Sequence, residues 1–196
     1  MNLRQRFLAR QESFSAVERC PQPVIAAVHG TCLGGAVDLA CACDIRFCSQ
    51  DASFCIAEVK VGLAADVGTL QRMPRIVGNE SLCRELAYTG RTFGAAEAAG
   101  MGLVSRVLGS GSRRQEVVQA CLRTAAEIAR QSPVAVFGTK RNIIYGRDHS
   151  IEDGLQYAAT WSGAALQAED LPKAMRASLS KKNNSKAPSY PEFSKL

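Results

Sequence analysis

Histidine and tryptophan are scarce: His29, His149 and Trp161 are the whole complement, and neither histidine has a nucleophile matched to it. Both histidines lie beside turns, so a structural role is expected for them in place of imidazole catalysis. Trp161 and Tyr157 stand at i, i+4 on a helical stretch, which points to core or subunit packing. No run approaches the roughly 18 consecutive apolar residues of a bilayer span, and the amino end has no apolar signal stretch. A secreted or membrane-spanning protein is not expected. Two glycine motifs are missing as well, the G-x-G-x-x-G of dinucleotide sites and the Lys-Ser/Thr that closes a P-loop. Cys41 and Cys43 form a C-x-C, but no C-x-x-C or zinc-spaced histidine pair accompanies them, so no metal site is expected. The formal charge of +6 is scattered along the chain without interleaved aromatics, which argues against nucleic-acid reading; it suits an anionic small molecule and equally non-specific RNA or membrane contact, so charge alone decides little.

The chain has 196 residues, 46% hydrophobic and 21% charged, enough for one globular domain with a substantial core. Residues 3–18 read as a surface helix that stops before Cys20-Pro21-Gln22-Pro23. Val24-Ile25-Ala26-Ala27-Val28 is a short apolar run that predicts a strand covered on both faces. A helix is predicted over 34–43, with strands over 45–48, 53–56 and 103–108. Further helices are predicted over 66–75, 81–89, 95–99, 114–131, 133–145, 151–168 and 171–180. Strands alternating with helices, followed by helices alone, predict an α/β core over 1–132 and a C-terminal helical region over 133–180 that could build an oligomer. Residues 181–196 form a polar tail ending in Ser194-Lys195-Leu196, a complete peroxisomal address. The expected compartment is the peroxisome matrix, and the expected partner of that tripeptide is the import receptor. In that compartment the eight cysteines are expected as reduced thiols.

The segment Gly30-Thr31-Cys32-Leu33-Gly34-Gly35-Ala36-Val37-Asp38 follows a strand and opens a helix. Unpaired amides and the positive end of a helix dipole, with glycines that admit close approach, suit an oxyanion. A Gly-Gly pair also serves plain strand–helix packing. Three acids, Asp38, Glu58 and Asp66, have many apolar neighbours in sequence, which makes them candidates for proton transfer. Each also has a structural alternative: Asp38 favouring the helix dipole, Glu58 as a solvated strand-end charge, Asp66 capping a helix that begins at Val67.

These segments carry a resemblance. Pro23–Gly30, Gly34–Leu39, Ala42-Cys43-Asp44-Ile45-Arg46, Glu58–Arg72 and Gly102–Val107 resemble the enoyl-CoA hydratase/isomerase (crotonase) superfamily, and within it the branch of delta(3,5)-delta(2,4)-dienoyl-CoA isomerases. The resemblance implies a crotonase-like ββα spiral core with a helical C-terminal region, and a homotrimer or hexamer. It implies isomerisation of a 3,5-dienoyl-CoA to the 2,4-dienoyl-CoA in β-oxidation, acting on a fatty acyl-CoA with no separate cofactor, since coenzyme A is part of the substrate. By residue, it implies the Gly35 amide as half of an oxyanion hole, Asp66 as base at C2, Glu58 as acid at C6 and Asp38 in support. The sequence alone leaves the order of the acids open. Simple hydratases usually lack an acid where Asp66 stands.

The resemblance covers about the C-terminal two-thirds of the family domain, and Ala36 replaces the third glycine of a common Gly-Gly-Gly. Without the opening segment, which in the family supplies the second oxyanion-hole amide and much of the CoA contact, weak or absent activity of the isolated chain is expected, with longer forms reaching mitochondria. The alternatives are a catalytically silent subunit or interaction protein derived from the enzyme, a basic RNA-contacting relative, and an enoyl-CoA hydratase.

Overall fold

The structure is a computed structural model, and it describes residues 2–109, 114–180 and 190. The predicted address Ser194, Lys195 and Leu196 lies outside the described residues, as does nearly all of the polar tail. No helix among the described residues is long and apolar enough to cross a membrane. The chain divides into two compact units: residues up to Cys20 with Val24–Leu122, and Pro21–Pro23 with the chain from Arg123 onward.

The first unit opens with helix α1, Leu3–Arg19, on a capping box: the Asn2 side chain accepts from the Gln5 amide at 2.9 Å and Gln5 Oε1 accepts from the Asn2 amide at 3.1 Å. Strand β1, Ile25–Val28, leads through Gly30 to β2, Thr31–Leu33, which runs into helix α2, Gly35–Ala42. Strands β3, Ile45–Ser49, and β4, Ser53–Cys55, follow, then a 3₁₀ turn, Glu58–Val61. Helices α3, Thr69–Val77, and α4, Glu80–Thr89, precede β5, Phe93–Gly94, α5, Ala95–Gly100, and β6, Arg106–Leu108. One sheet has the order β1-β3-β6 with all strands parallel, Ile25 opposite Ile45 and Phe47 opposite Arg106. The other has the order β2-β4-β5, with β2 parallel and β5 antiparallel to β4. Helix α6, Arg114–Ala129, lays Val117, Ala120 and Cys121 against Phe47.

The main core gathers Val37, Cys41, Phe54, Met73, Leu86 and Leu103. Phe54 and Phe93 stack at 5.4 Å between ring centres. The C-terminal end of α2 is closed by Arg46, which donates to the carbonyls of Cys43 at 2.5 Å, Ala40 at 3.3 Å and Leu103 at 2.7 Å. A cation there satisfies helix-end carbonyls and meets the negative end of the dipole.

The elements differ from the predicted ones in several places. Strand β1 is half-buried along its length and pairs, among the described residues, with β3 alone; Val28 packs against the main core, and Ile25 and Ala27 against the cluster around Phe47. The three-residue β2 lies between β1 and the glycines, too short for any periodic signal. Helix α3 starts at Thr69, three residues later than predicted, after Gly68 at φ +137°. The strand predicted over 103–108 is confined to 106–108.

The cysteines of the core are free thiols. Burial pushes the Cys32 thiol up to about 11 and Cys48 to about 11; in Cys41 it outweighs the nearby Arg46 cation and reaches about 12. An unfolded thiol ionises near 8.5, so above that pH the unfolded chain releases protons that the folded chain keeps. Stability is therefore expected to be unaffected by these thiols below about pH 8.5. It should fall between there and their folded values, by about 1.4 kcal/mol per pH unit for each thiol. Urea midpoints at pH 7.5 and pH 10 measure this; equal midpoints would contradict the burial of these thiols.

The second unit is helical. Helix α7, Pro133–Gly146, starts from Ser132, whose Oγ accepts from the Ala135 amide at 3.2 Å and donates to Asp170 Oδ2 at 2.6 Å. Helix α8, Ile151–Ala165, is capped by Ser150, and α9, Asp170–Ser180, follows. Lys140 Nζ reaches back to the Gln22 carbonyl at 3.1 Å, tying in the Pro21–Pro23 strap. Trp161 packs edge-on to Phe137 with its indole over Gly138, and Tyr157 stacks on Tyr145. Any side chain at Gly138 would collide with that indole. Gly138→Val is expected to cost about 1–3 kcal/mol by overpacking, a fall in Tm of roughly 2–4 °C for each kcal/mol. Calorimetry decides it, and an unchanged Tm would refute the α7–α8 packing.

Candidate active site

The site is built around the N-terminus of α2. Gly34 sits at φ +53°, ψ −119°, a conformation that side chains rarely adopt, and its amide donates to the Cys55 carbonyl at 2.9 Å. Its carbonyl accepts from Val37 at 2.7 Å and from Asp38 at 3.3 Å, starting the helix. Gly35 is the first helical residue; it is exposed, and a Cβ built there would meet nothing within 4 Å. Its amide belongs to the first turn, where a helix has no carbonyl of its own to pair with, and open space lies beside it. The positive end of the α2 dipole adds to the pull on an anion.

Glu58 arrives beside this turn because it opens the 3₁₀ turn after β4, the strand that pairs with β2. Its Oε1 lies 3.0 Å from the point where a Gly34 Cβ would stand. Its Oε2 is buried and has no hydrogen-bond partner among the described residues. The expectation of a solvated strand-end charge is therefore corrected. Leu33, Val61 and Leu63, which flank these residues in sequence, are exposed.

Asp38 is completely buried. Its Oδ1 accepts from the Thr69 amide at 2.6 Å and from the Thr69 hydroxyl at 2.8 Å, while Oδ2 is buried without a partner among the described residues. Asp38 thus serves the start of α3 from another helix. Asp66 does not cap α3; it stands three residues before it, half-buried in the loop after the 3₁₀ turn. That loop is anchored through its backbone: Gln11 Nε2 donates to the Asp66 carbonyl at 2.8 Å. Arg72 holds the other end, with its guanidinium 3.0 Å from Ser15 Oγ, 3.4 Å from Glu18 and 3.5 Å from the Val67 carbonyl. Gly68 leaves the room that this guanidinium fills.

The four sequence-predicted residues fall on segments that meet. Gly35 and Asp38 share the first turn of α2, Glu58 lies against Gly34, and the loop carrying Asp66 is joined to Asp38 through Thr69. Sequence reasoning missed Gln11, Thr69 and Arg72. A Thr after a glycine hints at a helix start, but nothing local shows that its partner lies 31 residues away. His149 stacks on Tyr145 at 3.6 Å, in the second unit.

Carboxylates thus gather near a helix N-terminus on paired ββα segments, and the chain belongs to the enoyl-CoA hydratase/isomerase family, whose model matches residues 5–185. It is 55% identical over 172 residues to the mitochondrial delta(3,5)-delta(2,4)-dienoyl-CoA isomerase of Homo sapiens, a match covering 88% of this chain and 52% of that protein. It is 46% identical over 194 residues to the peroxisomal protein of the same name in Arabidopsis thaliana, covering 99% of this chain and 66% of that one. Among solved structures, an enoyl-CoA hydratase from Bacillus anthracis superposes with a TM-score of 0.86 at 31% identity, over 97% of this chain and 71% of that chain. The chain spans about half the length of the human relative.

Proposed function

We propose that this chain isomerises 3,5-dienoyl-CoA to 2,4-dienoyl-CoA in the β-oxidation of unsaturated fatty acids. The observation that carries the reading is the Glu58 carboxylate packed against Gly34, at a helix N-terminus whose first residue, Gly35, is exposed. The names of the human and Arabidopsis relatives support the substrate class.

A carboxylate removes a proton from C2, and the electron pair left there spreads onto the thioester oxygen on one side and through the diene to C6 on the other. The Gly35 amide donates to that oxygen as charge builds on it. The pair then returns to bond a proton at C6, which leaves double bonds at C2 and C4. Proton loss and gain balance, so no oxidant, metal or separate cofactor enters the step. The reaction needs two groups far apart along an extended acyl chain, and we assign Asp66 as the base at C2 and Glu58 as the acid at C6 on the family resemblance. Asp38 supports them from the first turn of α2. Exposed Leu33, Val61 and Leu63 suit the acyl chain.

The proposed setting is the peroxisome matrix, reached through Ser194, Lys195 and Leu196 on the import receptor; the relatives bear both peroxisomal and mitochondrial names. The proposed assembly is a homotrimer or hexamer, for which size-exclusion mass measurement is the test. A second reading, hydration of a 2-enoyl-CoA, is favoured by the likeness to the hydratase structure. Ultraviolet absorbance separates the two: conjugation of a 3,5-dienoyl-CoA raises it, and hydration of a 2-enoyl-CoA lowers it. A rise with the diene alone supports the isomerase, a fall with the enoyl substrate alone supports the hydratase, and neither change with folded protein overturns both in favour of a silent subunit.

A further inference from the structure

We infer that Thr69 is the positioning residue of this site, holding the Asp38 carboxylate and fixing it to the loop that carries Asp66. Thr69 is itself 1% exposed, and both of its donors end on one oxygen, Asp38 Oδ1, at 2.6 and 2.8 Å. Two donors on a single acceptor fix the plane of a carboxylate as one bond cannot, and charge-assisted bonds of this kind are about twice as strong as neutral ones. The first amide of α3 is one of the pair, so the positive end of that helix also acts on Asp38.

The other oxygen, Oδ2, is buried with no partner among the described residues. A buried carboxylate oxygen is costly to leave unpaired, and such atoms cluster where a ligand or proton completes the pairing. Thr69 thus takes up one oxygen completely and leaves the second as the acceptor that Asp38 can offer to the reaction. Thr69 also lies only three residues after Asp66, on a stretch clamped by Gln11 and Arg72. One short segment therefore sets the relative placement of two of the three acids. The consequence for rate rests on the isomerase reading, whereas the contact itself does not.

The test compares Thr69→Val, which removes only the hydroxyl, with Thr69→Ser, which restores it. Thr69→Val is expected to lower kcat about ten- to hundredfold with KM nearly unchanged, and Thr69→Ser to remain within roughly threefold of wild type. In an Asp38→Asn background the valine change is expected to add no further loss, because the acceptor charge is already gone. A merely structural threonine would lower the folded fraction and leave kcat per folded molecule at the wild-type value, which overturns the inference. The Asp38 carboxyl ¹³C resonance, assigned by its disappearance in Asp38→Asn, gives a readout independent of turnover. It is expected to move in Thr69→Val and to stay in Thr69→Ser. If wild type turns over no acyl-CoA while the resonance behaves so, the isomerase reading fails and the positioning role stands. A resonance that does not move in Thr69→Val overturns the positioning role whatever the activity.

Discussion

Glu58→Gln is expected to lower diene conjugation by roughly 10²- to 10⁴-fold, the usual worth of a positioned proton-transfer group, with little effect on folding. Glutamine keeps the size of the side chain and its place beside Gly34, so the loss reads on the proton and not on the packing. Asp66→Asn is expected to cost as much, and the pair separates the two roles. With Asp66 as the base at C2 and Glu58 as the acid at C6, Glu58→Gln retains exchange of the C2 hydrogens with deuterated solvent while product formation collapses. Asp66→Asn loses both. Proton NMR of the substrate, incubated with each variant, measures the exchange directly. Exchange at C2 that survives in Asp66→Asn and vanishes in Glu58→Gln would reverse the assignment.

Gly34→Ala is the second change with a large expected effect, and it acts on fold and site together. At φ +53°, ψ −119° an alanine is strained by about 1–3 kcal/mol, so Tm is expected to drop by roughly 2–4 °C for each kcal/mol. The new methyl would also stand 3.0 Å from Glu58 Oε1, closer than carbon and oxygen normally sit, and it must push that carboxylate aside. A misplacement on the order of 1 Å in a proton-transfer group can cost about 10²-fold in rate, so turnover per folded molecule should fall as well. Scanning calorimetry and the conjugation assay on one preparation distinguish the two losses. A lowered Tm with unchanged turnover would show that Glu58 is not the reacting acid. Gly35→Ala serves as the contrast, since its Cβ meets nothing within 4 Å and only the space beside the amide is reduced.

Most of the helices were legible in the sequence because each carries its own start or stop. Asn2, Ser132 and Ser150 cap α1, α7 and α8 with side-chain oxygens, and Gly90 ends α4 in the left-handed region. The α2 helix was legible from the glycines before it and the small apolar residues within it. The failures lie where local rules are silent. Strand β2 has three residues and β5 two, too few to show a period, and both exist because β4 lies between them to take their hydrogen bonds. The start of α3 at Thr69 depends on Asp38, a residue on another helix, so no reading of 66–75 alone could place it.

Residue chemistry, and with it family membership, was decided along the chain: an acid at 38, another at 58 and a third at 66, glycines at 34 and 35, and a helical C-terminal third. Those properties belong to individual residues and short spacings. The pairing of those residues was decided only by tertiary structure. Parallel pairing of β2 with β4 carries Glu58 to Gly34, burial leaves one oxygen each of Asp38 and Glu58 without a partner among the described residues, and Thr69 joins α2 to the Asp66 loop. Each of these depends on segments brought together through space, and a hydrogen bond across 31 residues leaves no periodic mark in the sequence that makes it.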